Sequence, residues 1–434
     1  MTRRVVITGM GWVTPLGHDI ETAWQRILAG ESGADKITLF DASTFPTTFG
    51  CQLKDFALAN FLGPDAEDHA GCSRNTEFAL AAGDIAWRHA GFDKNPPGDP
   101  TQVGLYLGGG EGPVDFEPYT AAAVNGCRND DGELITFDAK RWANSALKGL
   151  DPSYEAEQDP NLAIGHLAVH FNAQGPSFNT LTACAASTQA IGEAAHLIRH
   201  GDADIMISGG AHSMLHPLGL TGFDKLTALS TRNDDISTAS RPFDRTRDGF
   251  VLGEGAGIVI LEELEHARKR GAAILAEMIG FGSTVDAFRI TDAHDQGRGA
   301  IAAMRMALAT ASLTPGDVDY ISAHGTSTEE NDKIETLAIR ELFGGFGVAP
   351  PVSSVKSMLG HLIAAAGAVE LITCVLAIRD GMIPPTVNYE HQDPNCDLDY
   401  VPNEARSAKV RVALSNSFGF GGQNNTLAVG AFDD

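Results

Sequence analysis

The amino-acid sequence predicts an α/β fold, and three observations predict it. Short β-branched runs, Val5–Thr8, Ile205–Ser208, Ile258–Leu261 and Val318–Ser322, alternate with Ala-rich helical stretches, the pattern of strands covered by helices on both faces. No Ser/Gly-rich or Pro-rich linker cuts the chain into independent units. The segment TACAASTQAIGEAAHLIRHGDADIMI runs from a turn through a small-residue helix to Arg-x-Gly and a strand, and SMLGHLIAAAGAVELITCVLAIRDGMI repeats that order. Two related halves sharing one core, 1–265 and 266–434, are one reading of this echo; shared Ala/Gly-rich composition is the other.

The opening stretch MTRRVVITGMGWVTPLG has the charged start and apolar run of a signal peptide. Gly9, Gly11, Pro15 and Gly17 break that run, and its Val, Ile and Thr content fits a buried strand. Residues 113–160 show little periodicity, many charges and several turn formers, which predicts an irregular excursion facing substrate or a partner. The longest apolar segment, Leu362 to Ile378, contains Glu370 and reads as a buried helix, so no membrane span is expected.

Composition narrows the function. Over 434 residues the formal net charge is −25, which disfavours nucleic acid and anionic membrane surfaces, since both need a basic footprint. The six cysteines, at 51, 72, 127, 184, 374 and 396, form no C-x-x-C pair. Neither a metal site nor a disulfide framework is expected, and a reducing cytoplasm is the plain reading.

Four stretches can carry chemistry. Cys184 follows the alternating Ser177–Thr182 and precedes the helix formers Ala185–Ile198. A sulfur at a helix N-terminus is favoured as thiolate, and its neighbours Ala183, Ala185, Ala186 and Ser187 leave room for a bulky group; a buried structural thiol is the alternative. HGTSTEEND, 324–332, follows the strand ending at Ala323, where open α/β sheets place ligands. Thr326 and Thr328 there can bond a polar arm, or merely cap the helix starting near Asp332. In SSVKSMLGHLIAAAGAVE, 353–370, Lys356 and His361 flank a turn; a cation beside His361 would hold its imidazole neutral. SNSFGFGGQN, 415–424, reads as a glycine-rich loop after the strand Val410–Leu414, able to offer backbone N–H groups to an anion.

Taken in order, the C-A-A-S turn, HGTST, the lysine ahead of Gly-His with its A-A-A-G helix, and NSFGFGG resemble the elongating β-ketoacyl-acyl-carrier-protein synthases of the thiolase superfamily, synthase II most of all. The likeness extends to VVITGMGWVTPLG, RPFDRTRDGFVLGEGAGIVILEELEHARKRGA and DPNCDLDYVPNEAR. It implies a thiolase-like fold, two pseudo-symmetric α/β halves in αβαβα layers, and decarboxylative condensation of an acyl thioester with a malonyl thioester.

The resemblance also implies roles. Cys184 is the nucleophile, with its N–H and that of Phe420 as oxyanion hole. His324 and His361 hold the enolate, and Lys356 supports the second histidine. Glu370 and Asp332 are supporting acids, Thr326 and Thr328 hold phosphopantetheine, and Phe420 gates the pocket. No cofactor is bound permanently; phosphopantetheine arrives on the acyl carrier protein, in acyl and malonyl forms, and the enzyme is a homodimer. Two departures bear on the carrier. The basic cluster that relatives place ahead of the helix beginning near Arg74 is here PDAEDHAGC, and a docking arginine is replaced by Thr227. Arg74, Lys225 and Arg232 remain as docking candidates, with Lys140, Arg141 and Lys148 in the excursion. A non-catalytic partner subunit would lack Cys184, and a thiol hydrolase would need a carboxylate or amide orienting one histidine.

Overall fold

The computed structural model describes residues 3–112 and 114–433. Met1, Thr2, Pro113 and Asp434, at the edges of the predicted segments 1–265, 113–160 and 266–434, lie outside the described residues.

Ten strands form one sheet with an internal repeat. Val5–Val13 (β1), Val103–Gly108 (β2), Ser177–Thr180 (β3), Ile205–His212 (β4) and Gly255–Glu263 (β5) lie in the order β1-β5-β4-β2-β3. Ala276–Val285 (β6), Tyr320–Ser322 (β7), Val352–Ser353 (β8), Val412–Gly419 (β9) and Gln423–Gly430 (β10) repeat it as β6-β10-β9-β7-β8. In each half-sheet the first two pairings are antiparallel and the last two parallel. The half-sheets meet where β1 touches β6, with Val6 opposite Glu277 and Ile7 opposite Ala276. β1, β4 and β5 are buried along their whole lengths, because helices cover both faces and alternation would place polar side chains in a core.

Ser73 accepts the Thr76 N–H to start Arg74–His89 (α1), which covers the outer face of the first half-sheet. The predicted irregular excursion is instead largely helical: Phe116–Gly126 (α2) and Ala139–Gly149 (α3) pack on each other, followed by the short Pro152–Ala156 (α4). Asp138 and Asp151 each accept two backbone N–H groups to start α3 and α4. The acidic residues that obscured any apolar period are thus the helix-start signals. Asn161–Phe171 (α5) then packs against α1.

Ala186–His200 (α6) lies on the inner face of the first half-sheet. Arg298–Thr310 (α7), with Glu329–Phe343 (α8) against it, covers the outer face of the second. Ala366–Asp380 (α9) returns to the middle and packs on α6, completing five layers. The central helices share a distinctive beginning. One 3₁₀ turn precedes each, Ala183–Ala185 and Ile363–Ala365, and both turns open with a left-handed residue, Ala183 at φ 48° and Ile363 at φ 49°. Left-handed Gly201 and Gly381 close the two helices. A single offset in numbering relates all these pairs, which shared composition does not produce; the echo is pseudo-symmetry. The main core runs through this middle layer, from Trp12 and Ile191 to Val369 and Leu371.

Candidate active site

Cys184 sits in the 3₁₀ turn ahead of α6, 6% exposed. A β-carbon-bearing residue at positive φ is strained by about 1–3 kcal/mol, and Ala183 holds that conformation directly before the sulfur. Opposite, β9 ends against this turn. A Cβ on Gly419 would lie 2.8 Å from the Thr182 carbonyl and 3.2 Å from the Cys184 nitrogen, so only glycine allows the approach. The backbone N–H groups of Phe420 and of Cys184 itself are both directed at the thiol. Burial nonetheless pushes the thiol up to about 11, outweighing the Lys356 ammonium and those N–H groups. The thiolate expected from the helix terminus alone is therefore not the resting form.

His324 follows β7, with ring and backbone buried. The Lys356 ammonium donates to its carbonyl at 2.6 Å and stands 3.4 Å from Nδ1, leaving the proton on Nε2. His361 is held by its own backbone: its N–H donates to Val251 at 2.7 Å, and its carbonyl accepts from Gly253 at 2.9 Å. Its Nδ1 accepts the Ile363 N–H at 3.2 Å, while Nε2 is buried without a protein partner. Burial, then the Lys356 charge, holds both imidazoles well below the usual histidine range. Both are neutral N–H donors at pH 7.

Lys356 is thus placed differently from what the resemblance implies. Its contacts are with the first histidine, His324, and it reaches the second only through its field. Its ammonium also pairs with Glu370, whose carboxyl burial raises to about 7. Asp332 touches neither histidine. It accepts the Phe243 N–H at 2.7 Å and the Ser327 N–H at 3.2 Å, and faces Arg247 at 3.6 Å. Thr326 and Thr328 stand together, their hydroxyls 2.9 Å apart, and Thr328 also caps α8.

The Cys184 sulfur and one nitrogen from each of His324 and His361 lie within 4.8 Å of one another. Such a trio could in principle hold a soft metal ion; equally, it sets two N–H donors beside a nucleophile. Two cavities meet here. One, about 470 Å³, contains Cys184, both histidines, Thr326 and Thr328, and opens past Leu226 and Thr227. The other, about 420 Å³, runs from Cys184 between Leu181, Met214, Leu218, Phe223 and Ile363. Phe420 lines both.

Sequence reasoning missed the residues that hold the first histidine's loop. The fully buried Glu335 accepts the His324 N–H at 2.9 Å and the Gly325 N–H at 2.8 Å. Its signal was available: with Asp332 it places a second acid, three residues on, along the side of α8 that carries Ile339. Arg247 donates to the Thr328 and Glu329 carbonyls at 3.0 Å and to Asp393 at 2.6 Å, which accounts for RTRDG and DPNC together.

The basic candidates separate. Arg74 is committed to Glu254, with Nε at 2.9 Å, and Arg232 donates to the Thr246 carbonyl. Lys225 is exposed at the end of Pro217–Lys225, next to Leu226 and Thr227 at the mouth of the larger cavity. Lys140, Arg141 and Lys148 lie on α3, which lines neither cavity, and Arg141 pairs with Asp130.

Residues 2–267 match the β-ketoacyl synthase N-terminal domain and residues 275–390 its C-terminal domain. The chain is 43% identical to a 3-oxoacyl-[acyl-carrier-protein] synthase 2 of Coxiella burnetii, covering 98% of both chains. It is also 43% identical to one of Synechocystis sp., covering 98% of this chain and 97% of that one. Among solved structures, a β-ketoacyl synthase from Burkholderia phymatum is similar at TM-score 0.87 and 32% identity, over 99% of this chain and 100% of that one. A type II PKS ketosynthase bound to the hexaketide, in complex with its acyl-carrier protein, is similar at TM-score 0.86 and 33% identity over 100% of both chains.

Proposed function

Because the chain belongs to the β-ketoacyl synthase family, we propose that it lengthens an acyl thioester by two carbons through decarboxylative condensation, with Cys184, His324 and His361 as its working groups. It is a 3-oxoacyl-[acyl-carrier-protein] synthase, an acyltransferase of fatty acid or related polyketide synthesis.

The Cys184 sulfur attacks the acyl carbonyl carbon, and the Cys184 and Phe420 N–H groups hold the oxyanion. The carrier thiol leaves with the proton that the sulfur gives up. Malonyl thioester then enters the larger cavity. Its carboxylate departs as CO2, and the electron pair of the broken C–C bond becomes an enolate whose oxygen accepts hydrogen bonds from the Nε2–H groups of His324 and His361. The enolate carbon attacks the acyl–Cys184 carbonyl and expels the thiolate, giving the 3-oxoacyl thioester. The observation that carries this reading is the trio within 4.8 Å at the junction of two cavities.

Lys356 and Glu370 fix His324, Asp332 fixes the loop after it, and Phe420 moves when the acyl chain enters the smaller cavity. A hydrolase is disfavoured because Nδ1 of His361 bonds a backbone N–H rather than a carboxylate, and Nδ1 of His324 faces a cation. No metal takes part in this scheme. Phosphopantetheine is substrate-borne and passes Thr326 and Thr328; its acyl carrier protein docks over Lys225.

The protein works as a homodimer. β3 is an edge strand with exposed Phe178, Leu181 follows it, and the excursion exposes Leu134 and Phe137, an apolar face suited to a second copy. On this reading the chain divides into 1–265, carrying the nucleophile, and 266–434, carrying both histidines. Six unpaired cysteines fit a cytoplasmic setting, and among the described residues no helix is long and apolar enough to cross a membrane.

Incubating the purified chain with acyl- and malonyl-carrier protein tests the proposal. Mass spectrometry should find the acyl group on Cys184 and a 3-oxoacyl carrier two carbons longer. Release of free acid without extension would overturn it.

A further inference from the structure

The helix Pro217–Lys225 and its cap Leu226 form one wall of the smaller cavity. Leu218, Gly219, Gly222, Phe223 and Leu226 line it, and their spacing of three and four residues gathers them on one face of the helix. The two glycines on that face differ. Gly219 is required by packing, because a Cβ there would stand 2.3 Å from the Met214 carbonyl oxygen. A Cβ on Gly222 would meet no atom within 4 Å, and Gly222 is not among the residues at positive φ. Neither a close approach nor a left-handed backbone calls for glycine at 222. Within a helix glycine is also less favourable than alanine, since it loses more backbone freedom on folding. The missing side chain therefore does nothing for the fold; what it leaves is space.

That space is a notch in an apolar wall. Leu218 lies one turn before Gly222 and Leu226 one turn after, 40% and 48% exposed, whereas Leu220 of the same helix is fully buried. The cavity begins at Cys184, so the occupant continuous with this wall is the acyl group carried on that sulfur. A straight alkyl chain lying on the two leucines would bridge the notch. A methyl branch would enter it and take more of their apolar surface out of water.

We propose that Gly222 is a specificity-determining position whose notch receives a branch on the acyl chain, so that the preferred acyl group is methyl-branched rather than straight. This rests on the condensation proposed above.

The experiment uses acyl thioesters of one length, straight or carrying a single methyl group at successive carbons, and an acetyl thioester too short to reach the notch. Loading of Cys184 and formation of the 3-oxoacyl product are followed separately by mass spectrometry. In the wild type, one branched isomer should exceed the straight chain by about tenfold in kcat/KM, the discrimination that one well-packed methyl group supports. Gly222→Ala should lower that ratio and Gly222→Val should bring it to one or below, while acetyl loading stays at the wild-type rate. Gly222→Ala should melt no lower than the wild type, because alanine is the better helix former and meets no neighbour there. A lower melting temperature would show that packing does require the glycine, and would overturn the proposal. A straight chain that equals or outperforms every branched isomer in the wild type overturns it whether or not the variants fold, as does a ratio unchanged in Gly222→Val. Equal loss with branched, straight and acetyl substrates, together with slower sedimentation of Gly222→Val, would assign the notch to a second copy of the chain instead. Absence of loading with any acyl group overturns the nucleophile assignment and this proposal with it, a result distinct from loading without discrimination.

Discussion

The Ile363 N–H donates to Nδ1 of His361 at 3.2 Å, and Ile363 is itself the left-handed residue that opens the turn into α9. The turn that aims the helix also selects the tautomer, leaving Nε2–H pointed at the reaction centre. His361→Ala and His324→Ala should each slow malonyl decarboxylation by roughly 100-fold or more, as expected for loss of one preorganised donor. Acyl loading of Cys184 should fall less. Release of CO2 measured separately from acylation checks both, and a variant that decarboxylates normally removes that histidine from the pair.

Cys184→Ala should abolish condensation and leave malonyl decarboxylation intact, since neither imidazole is disturbed. Assay of CO2 release alongside product formation decides it. Chain extension near the wild-type rate would exclude Cys184 as nucleophile.

Burial sets the pH dependence of the thiol. With its pKa pushed up to about 11, the thiolate fraction of Cys184 keeps increasing well beyond pH 9. The rate of alkylation by iodoacetamide should therefore keep rising through pH 10 rather than level off near 9. The Lys356 ammonium favours the thiolate, so Lys356→Met should raise the thiol pKa further and slow alkylation at any fixed pH below it. Peptide mapping confines the reading to Cys184.

Glu335→Ala leaves the His324 and Gly325 N–H groups buried without acceptors. Stability should drop by about 1–3 kcal/mol or more, seen in denaturant melts. In the folded fraction, decarboxylation should suffer more than acyl loading, because the turn that presents His324 loosens while the Cys184 turn does not.

Lys225→Glu should raise KM for acyl carrier substrates by about fivefold and leave KM for acyl-pantetheine unchanged. Reversing Lys140 and Arg141 together should have the smaller effect, since α3 lines neither cavity. A larger effect from α3 would move the docking surface to the excursion.

The cluster of Cys184, His324 and His361 was legible through the ordered set of motifs and the resemblance they carry. Locally, Cys184 and His361 stand just ahead of small-residue helices and His324 just after a strand, positions that also fit a structural thiol or a helix cap. The supports were less so. Arg247 and Asp393 meet across long sequence separation, and nothing local to either names the other. The Cys184 pKa was misjudged for a related reason: helix position is local, whereas the desolvation that outweighs it is a property of the assembled core. The glycine-rich 415–424 stretch was read as loop throughout, yet β9 continues through Gly419 and β10 resumes at Gln423. Its Asn416, Ser417 and Asn424 side chains are buried in hydrogen bonds, as between Ser417 and Thr188, and polar composition there concealed a strand.

The two half-sheets touch at a narrow seam, Val6 and Ile7 against Glu277 and Ala276, and the sulfur comes from one side while both imidazoles come from the other. Both sulfur–imidazole distances therefore cross between the halves and measure how they are aligned, while the distance between the imidazoles lies within one half. A substitution deep in the α6–α9 contact, remote from any substrate, would change the gap between thiol and imidazole before it unfolded anything. The fold makes activity a gauge of registration, so loss of turnover should be the earliest sign that the halves have slipped.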